Sequence, residues 1–276
     1  ISRDKIVKAG IKSINLEAKS FKGFLVFEPW LAKTKAGTFF KVYSPMWRSL
    51  QDITVDPEVK EVTSLNTPDE WPKSLNLVDL SLFKGMNRGA QIVEKFTTIG
   101  ERKALAKLNN FVGKKINDYK DKRNNLDEDF CSGLSENLTY GEISARRMWF
   151  AAENSKQLGM RGAEHFQKEI AWREFAYHLA YHTPQIETDN WRSEWNAFPW
   201  KGDCEDAEKW RQGQTGEPLI DAAMRELYIT GKMHNRARML VASYLTKHLL
   251  IDWRIGKEWF EETLIDWDPA SNAMGW

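Results

Sequence analysis

The sequence predicts a mainly α-helical fold, and three observations carry that prediction. From about Gly100 onward apolar residues recur at helical spacings, as in Leu105, Leu108, Phe111, Val112 and Ile116 with Lys and Asn between them. Helix punctuation follows: Thr139 stands three residues before Glu142 in TYGEISARRMWF, the capping-box spacing, and Pro218 suits a first turn before Ile220, Ala223, Met224 and Leu227. Two further segments, KEIAWREFAYHL and MHNRARMLVASYLTKHL, set polar and small residues along single stripes at i, i+3, i+4 and i+7. No internal repeat or low-complexity tract interrupts the pattern.

Ahead of Gly100 the reading differs. Residues 22–45 (KGFLVFEPWLAKTKAGTFFKVYSP) mix apolar and β-branched residues with Pro and Gly, which predicts a strand followed by an extended segment. From Gln51 to Leu82 Pro, Ser, Asn and Asp become frequent and neither period is sustained, the signature of a surface-crossing linker.

Composition narrows the class. With 276 residues and 42% of them apolar, the chain can bury a sizeable core. It has no apolar run of membrane length, and Ile1 to Lys8 carry alternating charge without a signal-peptide core, so a membrane or secretory reading has no support. Cys131 and Cys204 are too few and too far apart for a disulfide framework or a short metal motif, and a reducing, intracellular compartment is expected. The net charge of +1 hides a segregation: Glu101–Arg123 holds eight Lys/Arg against three acids, and Ile255–Asp268 one Lys against five. The basic stretch suits a DNA backbone or a solvated helix face. Eight of thirteen Trp follow residue 190; core packing explains any one of them better than it explains the set.

Several constellations could carry chemistry. Glu169, Trp172, Arg173 and Ala176 share one helix face, and a carboxylate, an indole and a guanidinium together suit a flipped-out nucleotide. A plain amphipathic helix with a Glu169–Arg173 ion pair and a core Trp explains that segment alone at least as well. Asn235, Arg238, Met239 and Ala242 form a second stripe; a core-facing Asn and Arg need polar partners, and a buried cofactor supplies them most simply. Asp266 and Asp268 could pair with Arg238, receive ligand hydroxyls, or simply begin a helix. In CSGLSENL, Ser132, Gly133 and Ser135 could face a phosphate, though such turns are ordinary. His178 and His182 have metal-ligand spacing without a third ligand and are read as structural; no nucleophile elbow, Walker loop or GxGxxG occurs.

The order and wording of KEIAWREF, WRQGQTGEPLIDAAMREL, TGKMHNRARMLVASYLTKHLLIDWR and DWDPASNAMGW resemble the photolyase/cryptochrome family, densely from Tyr119 to Trp276 and more thinly back to about residue 28. The resemblance implies a helical FAD-binding domain over residues 100–276, incomplete at its C-terminal end. A linker over 31–99 precedes it, and residues 1–30 would be the remnant of an α/β antenna domain. A folate or deazaflavin antenna would belong to the longer protein. Tyr119 and Cys131, Ser132, Gly133, Leu134 and Ser135 match phosphate-side contacts of FAD; Asp266 and Asp268, with Trp267 between them, match the ribityl and isoalloxazine side. Arg238 matches the Arg over the flavin that pairs with Asp266, Phe166 stands where Trp is frequent beside the flavin, and Asn272 matches the residue facing flavin N5.

The same resemblance implies a light-driven, dimer-splitting carbon–carbon lyase. Glu169 and Trp172 match residues that bond and stack on the lesion, Arg123, Arg173, Asn235, Arg236 and Met239 match further lesion or DNA contacts, and Trp276, Trp253 and Trp200 match the inner, middle and outer members of a tryptophan electron-transfer chain. Asn at 272 favours repair over the proton-donating Asp of plant cryptochromes, and MHNR differs from the two-His pattern of relatives acting on the pyrimidine-pyrimidone photoproduct. The expected partner is UV-damaged DNA, with no membrane, and the expected state is a monomer. The alternatives are a cryptochrome-type photoreceptor with FAD but without repair, and a cofactor-free helical module. Cys131, Phe166 and Lys232 depart from the usual Thr, Trp and aromatic, which predicts altered FAD affinity.

Overall fold

A computed structural model describes residues 2–59, 62–82, 84–86 and 89–276; Ile1, and Lys60, Glu61, Phe83, Asn87 and Arg88 of the predicted linker, lie outside the described residues. Thirteen α-helices occur among the described residues: Ser2–Ser13 (α1), Tyr43–Leu50 (α2), Gly89–Val93 (α3), Glu101–Lys114 (α4), Tyr119–Lys122 (α5), Ser135–Thr139 (α6), Ala145–Gln157 (α7), Ala163–His182 (α8), Glu205–Arg211 (α9), Pro218–Thr230 (α10), Asn235–Ser243 (α11), Trp253–Thr263 (α12) and Pro269–Gly275 (α13). The predicted helical class holds. Pro218 occupies the first turn of α10, and Gly231 ends that helix with φ 68°, a conformation glycine adopts without a Cβ penalty.

Two local expectations are corrected. Among the described residues no strand forms at 22–45 and the only β pairing is an isolated parallel bridge between Lys201 and Ile251. A strand needs a partner backbone, and here side chains of α8 take that place. Glu174 Oε2 accepts from the N–H of Val26 (2.8 Å) and Phe27 (2.9 Å), and His178 Nε2 accepts from Phe40 N–H at 3.0 Å. His178 Nδ1 then donates to Pro29 O at 2.9 Å, so both ring nitrogens serve the backbone, as a structural histidine should.

The capping box at Thr139 is the second correction. Thr139 ends α6 and donates to Asp266 O (3.2 Å), while Glu142 accepts from Gly100 N–H (2.8 Å) and Asn137 Nδ2 (2.6 Å). Helix α7 begins later, capped by Ser144, whose hydroxyl accepts from Arg147 N–H.

Two apolar cores organise the molecule. One joins Val26, Phe27, Met46 and Leu50 to Leu108, Phe111, Trp149, Phe166, Ile170 and Phe175 of α4, α7 and α8. The other gathers Trp210, Met224, Leu227, Val241, Leu245 and Phe260 from α9 to α12. Trp210 is fully buried with its indole N–H donated to Val241 O at 3.0 Å, so for this tryptophan core packing suffices.

Candidate functional site

A cavity of about 640 Å³ opens between the two cores, within the range of sites for organic ligands. Its walls come from α5, the Cys131–Ser135 loop, one face of α8, one face of α11, and the chain from Ile265 to Trp276. The stripe of α11 is placed as its spacing predicts: Asn235, Arg238, Met239 and Ala242 all face the cavity. On α8, Glu169, Trp172 and Arg173 reach it, while Ala176, one turn on, is buried in packing.

Arg238 and Asp266 form the polar floor. The guanidinium donates to both Asp266 oxygens (3.0 and 2.8 Å), and its Nε to Met233 O at 2.9 Å. Both contacts to Asp266 come from Nη2 while Nε holds Met233 O, so two nitrogens together fix the plane of the guanidinium. Asp268 caps α13, accepting from Ser271 N–H at 2.7 Å, and its other oxygen accepts from the Tyr177 hydroxyl. Burial and the Asp268 charge push the Tyr177 phenol well above its ordinary range, which keeps it a donor. Asn272 donates its Nδ2 to Lys257 O (3.0 Å) and accepts from Trp276 Nε1 (3.0 Å), so the amide orientation follows from its partners.

At the α8 side Arg123 pairs with Glu169, and the hydrogen bond raises the Arg123 pKa although burial opposes it. The expected Glu169–Arg173 pair is absent: Arg173 bonds Phe24 O (3.1 Å) and Glu174 (3.1 Å) and lies over the Phe24 ring. Trp172 is not a core tryptophan. It is 39% exposed, stacked on Tyr43 at 3.8 Å between centroids and 8° between planes, with Phe175 against its edge. Tyr43 is fixed in turn by donating to Lys168 O at 2.8 Å.

Tyr119, Cys131, Ser132, Gly133, Leu134 and Ser135 line the cavity on one side and Trp267 on another. Burial pushes up both the Tyr119 phenol and the Cys131 thiol, so both present neutral groups. Other predicted residues stand elsewhere. Phe166 is off the wall, buried against Phe111 and the back of Tyr119, because its place on α8 points into the first core. Arg236 lies on the surface, with Nε on Asn124 Oδ1 at 2.8 Å.

The three predicted electron-chain tryptophans are linked by backbone. Trp276 is on the wall; Trp253 is buried at the start of α12, its N–H on Asn190 Oδ1 (2.8 Å); Trp200 is half-buried. Lys201 N–H donates to Leu250 O (2.9 Å) and Asp252 N–H to Lys201 O (2.9 Å), which lays the chain after Trp200 alongside the chain before Trp253. One turn beyond Trp253, Gly256 receives the Trp276 ring: a Cβ there would lie 2.1 Å from Trp276 Cη2.

Residues 166–276 match the family described as the FAD binding domain of DNA photolyase. The chain is 40% identical over 282 residues to a deoxyribodipyrimidine photo-lyase of Agrobacterium fabrum, covering all of this chain and 58% of that protein. The chain belongs to the DNA photolyase/cryptochrome family. Among solved structures of the family, a bacterial class III photolyase from Agrobacterium tumefaciens superposes with a TM-score of 0.92 at 40% identity, over 100% of this chain and 57% of that one. A cryptochrome from Synechocystis sp. superposes at 0.78 with 28% identity, over 99% of this chain and 58% of that one. The chain thus spans somewhat over half the length of these photolyase/cryptochrome relatives. Among the described residues no helix is long and apolar enough to cross a membrane.

Sequence reasoning missed Tyr43, Tyr177 and Gly256. Only the last left a local trace, as a glycine inside a helical pattern rich in Trp.

Proposed function

We propose that this chain is the flavin-binding, catalytic part of a light-driven enzyme that splits cyclobutane pyrimidine dimers in DNA, with residues 1–30 the end of an antenna domain and 31–99 the connection to it. The observation that carries this reading is that one cavity holds both a flavin-type floor, Arg238 paired with Asp266, and a lesion-type wall, Glu169 beside Trp172.

The residues fit FAD. The cavity volume suits a folded dinucleotide, and the Trp267 indole N–H, on a residue of the cavity wall, is buried without a partner among the described residues, a donor that a polar ligand would satisfy. Arg238, Asp266, Trp267, Asp268 and Asn272 would hold the flavin side, and Tyr119 with Cys131, Ser132, Gly133, Leu134 and Ser135 the phosphate side. When bound, FAD supplies the light absorption and the electron for ring splitting.

The chain supplies position and polarity. Trp172, backed by Tyr43, offers its other face for a base to stack on, and the Glu169 carboxylate can accept an N–H from a base edge. Asn235 and Met239 complete the lesion wall, and Arg123, Arg173 and Arg236 would meet phosphates. Trp200, Trp253 and Trp276 would lead inward from the surface in that order. Asn272 holds no labile acidic proton, which favours repair over signalling.

The test uses the full-length gene product loaded with reduced FAD and given a dimer-containing oligonucleotide. Restoration of the bases under blue light and not in the dark supports repair. Light-dependent flavin changes without repair or preference for damaged DNA would establish the photoreceptor reading.

A further inference from the structure

Where the Cys131–Ser135 loop enters α6, a buried carboxylate sits between two ammonium groups. Glu136 is 5% exposed; Lys107 Nζ lies 2.6 Å from its Oε1 and Lys232 Nζ 3.0 Å from its Oε2. The two lysines differ in what they have left to give. Lys107 also donates to Gly133 O (3.0 Å) and Asn137 Oδ1 (3.3 Å), so its three N–H groups are spent on fixing the loop. Lys232 Nζ faces Glu136 as an ion pair and makes no hydrogen bond among the described residues, so its N–H groups remain unspent. One carboxylate against two ammoniums leaves a single positive charge in excess, and Lys232 lines the cavity where that charge is felt.

The neighbouring groups point to the same kind of ligand. Among the described residues, the hydroxyls of Ser132 and Ser135 and the backbone N–H groups of Ser132, Gly133 and Leu134 make no hydrogen bond within the chain, and all these residues line the same wall. Unspent donors beside an unspent ammonium suit an anion rich in acceptor oxygens. We infer that Lys232, held in place by Glu136, is the counter-charge for the diphosphate of the bound dinucleotide, and selects FAD over flavins that lack it. This rests on the flavin reading above. An aromatic side chain, usual at this position in the sequences this chain resembles, could stack there but could not supply charge.

The experiment compares the dissociation constants of FAD and riboflavin for the full-length apoprotein, wild type and Lys232→Met, across about 0.05 to 0.5 M salt. Loss of one charge-assisted contact is expected to weaken FAD about tenfold and to flatten its salt dependence, leaving riboflavin unchanged. Lys232→Arg should retain FAD affinity. If Lys232→Met fails to fold, Lys232→Gln, which keeps length without charge, gives the same reading. An unchanged FAD constant overturns the inference, and so does an equal loss for FAD and riboflavin, which would mark a purely structural role. Failure of the wild type to bind FAD would refute the flavin reading itself, and this inference with it.

Discussion

Gly256→Ala tests the link between α12 and the cavity. The added Cβ would lie 2.1 Å from Trp276 Cη2, 2.6 Å from its Cζ3 and 2.7 Å from Leu245 Cδ2. Carbon atoms settle at roughly 3.5 Å or more, so the indole must retreat by about 1.4 Å or α12 must move. Either shift strains the Trp276 N–H bond to Asn272, and with it a residue of the cavity wall. Overpacking of this kind costs about 1–3 kcal/mol, against which Ala regains about 0.5–1 kcal/mol of helix propensity. The net expectation is a thermal midpoint lowered by a few degrees, about 2–6 °C. FAD binding and photoreduction with an external donor should weaken more than stability does. Gly113→Ala in α4 is the control: nothing lies within 4 Å of its Cβ, so propensity alone should act, and act favourably. If Gly256→Ala leaves FAD affinity and photoreduction at wild-type values, the argument that Trp276 needs this glycine is wrong.

Variants at three further residues have expected outcomes. Glu174→Ala strands two buried N–H groups and the Arg173 charge, and should cost about 2–5 kcal/mol in denaturant unfolding. Burial pushes the Glu174 carboxyl up to about 7, against an ordinary 4.5; the unfolded chain therefore loses this proton first, and stability should fall as pH rises from 4.5 to 7. Glu174→Gln should remove that slope, measured by urea midpoints at either end of the window. Arg238→Met leaves Asp266 buried without its partner and should abolish FAD retention through purification, and Arg238→Lys should restore it only in part, because a lysine has no second nitrogen to hold Met233 O while it bonds Asp266. On the proposed function, Tyr43→Leu, which removes the support beneath Trp172, should lower the preference for dimer-containing over intact DNA by about tenfold in a binding titration. Tyr43→Phe, which keeps the stack, should retain the preference.

What could be read in the sequence was whatever local spacing determines. Pro218 opens α10, and one stripe of α11 brings Asn235, Arg238 and Met239 to a common wall, because three to four residues per turn leaves a helix little choice. The Arg238–Asp266 pair was one of the readings the residues left open, since a half-buried guanidinium needs an acceptor, and the family resemblance singled it out. What failed depended on partners far along the chain. Thr139 and Glu142 have capping-box spacing, yet Gly100 claims Glu142 from 42 residues away. The apolar run at residues 22–45 has strand composition, yet the donors that would build a ladder go to Glu174 and His178, some 140 residues distant. Tyr43 beneath Trp172 and Glu136 between two lysines are contacts of the same long-range kind.

The cavity lies along the seam between two apolar cores, each assembled largely from its own helices. A molecule seated there would press against both, so its departure would weaken the joint between them and not merely empty a pocket. By mass action a ligand at a thousand times its dissociation constant adds about 4 kcal/mol to the folded state, a large part of a typical margin. The supply of flavin in the cell would then govern the protein's lifetime as well as its activity, with apoprotein opening along the seam and reaching proteases first.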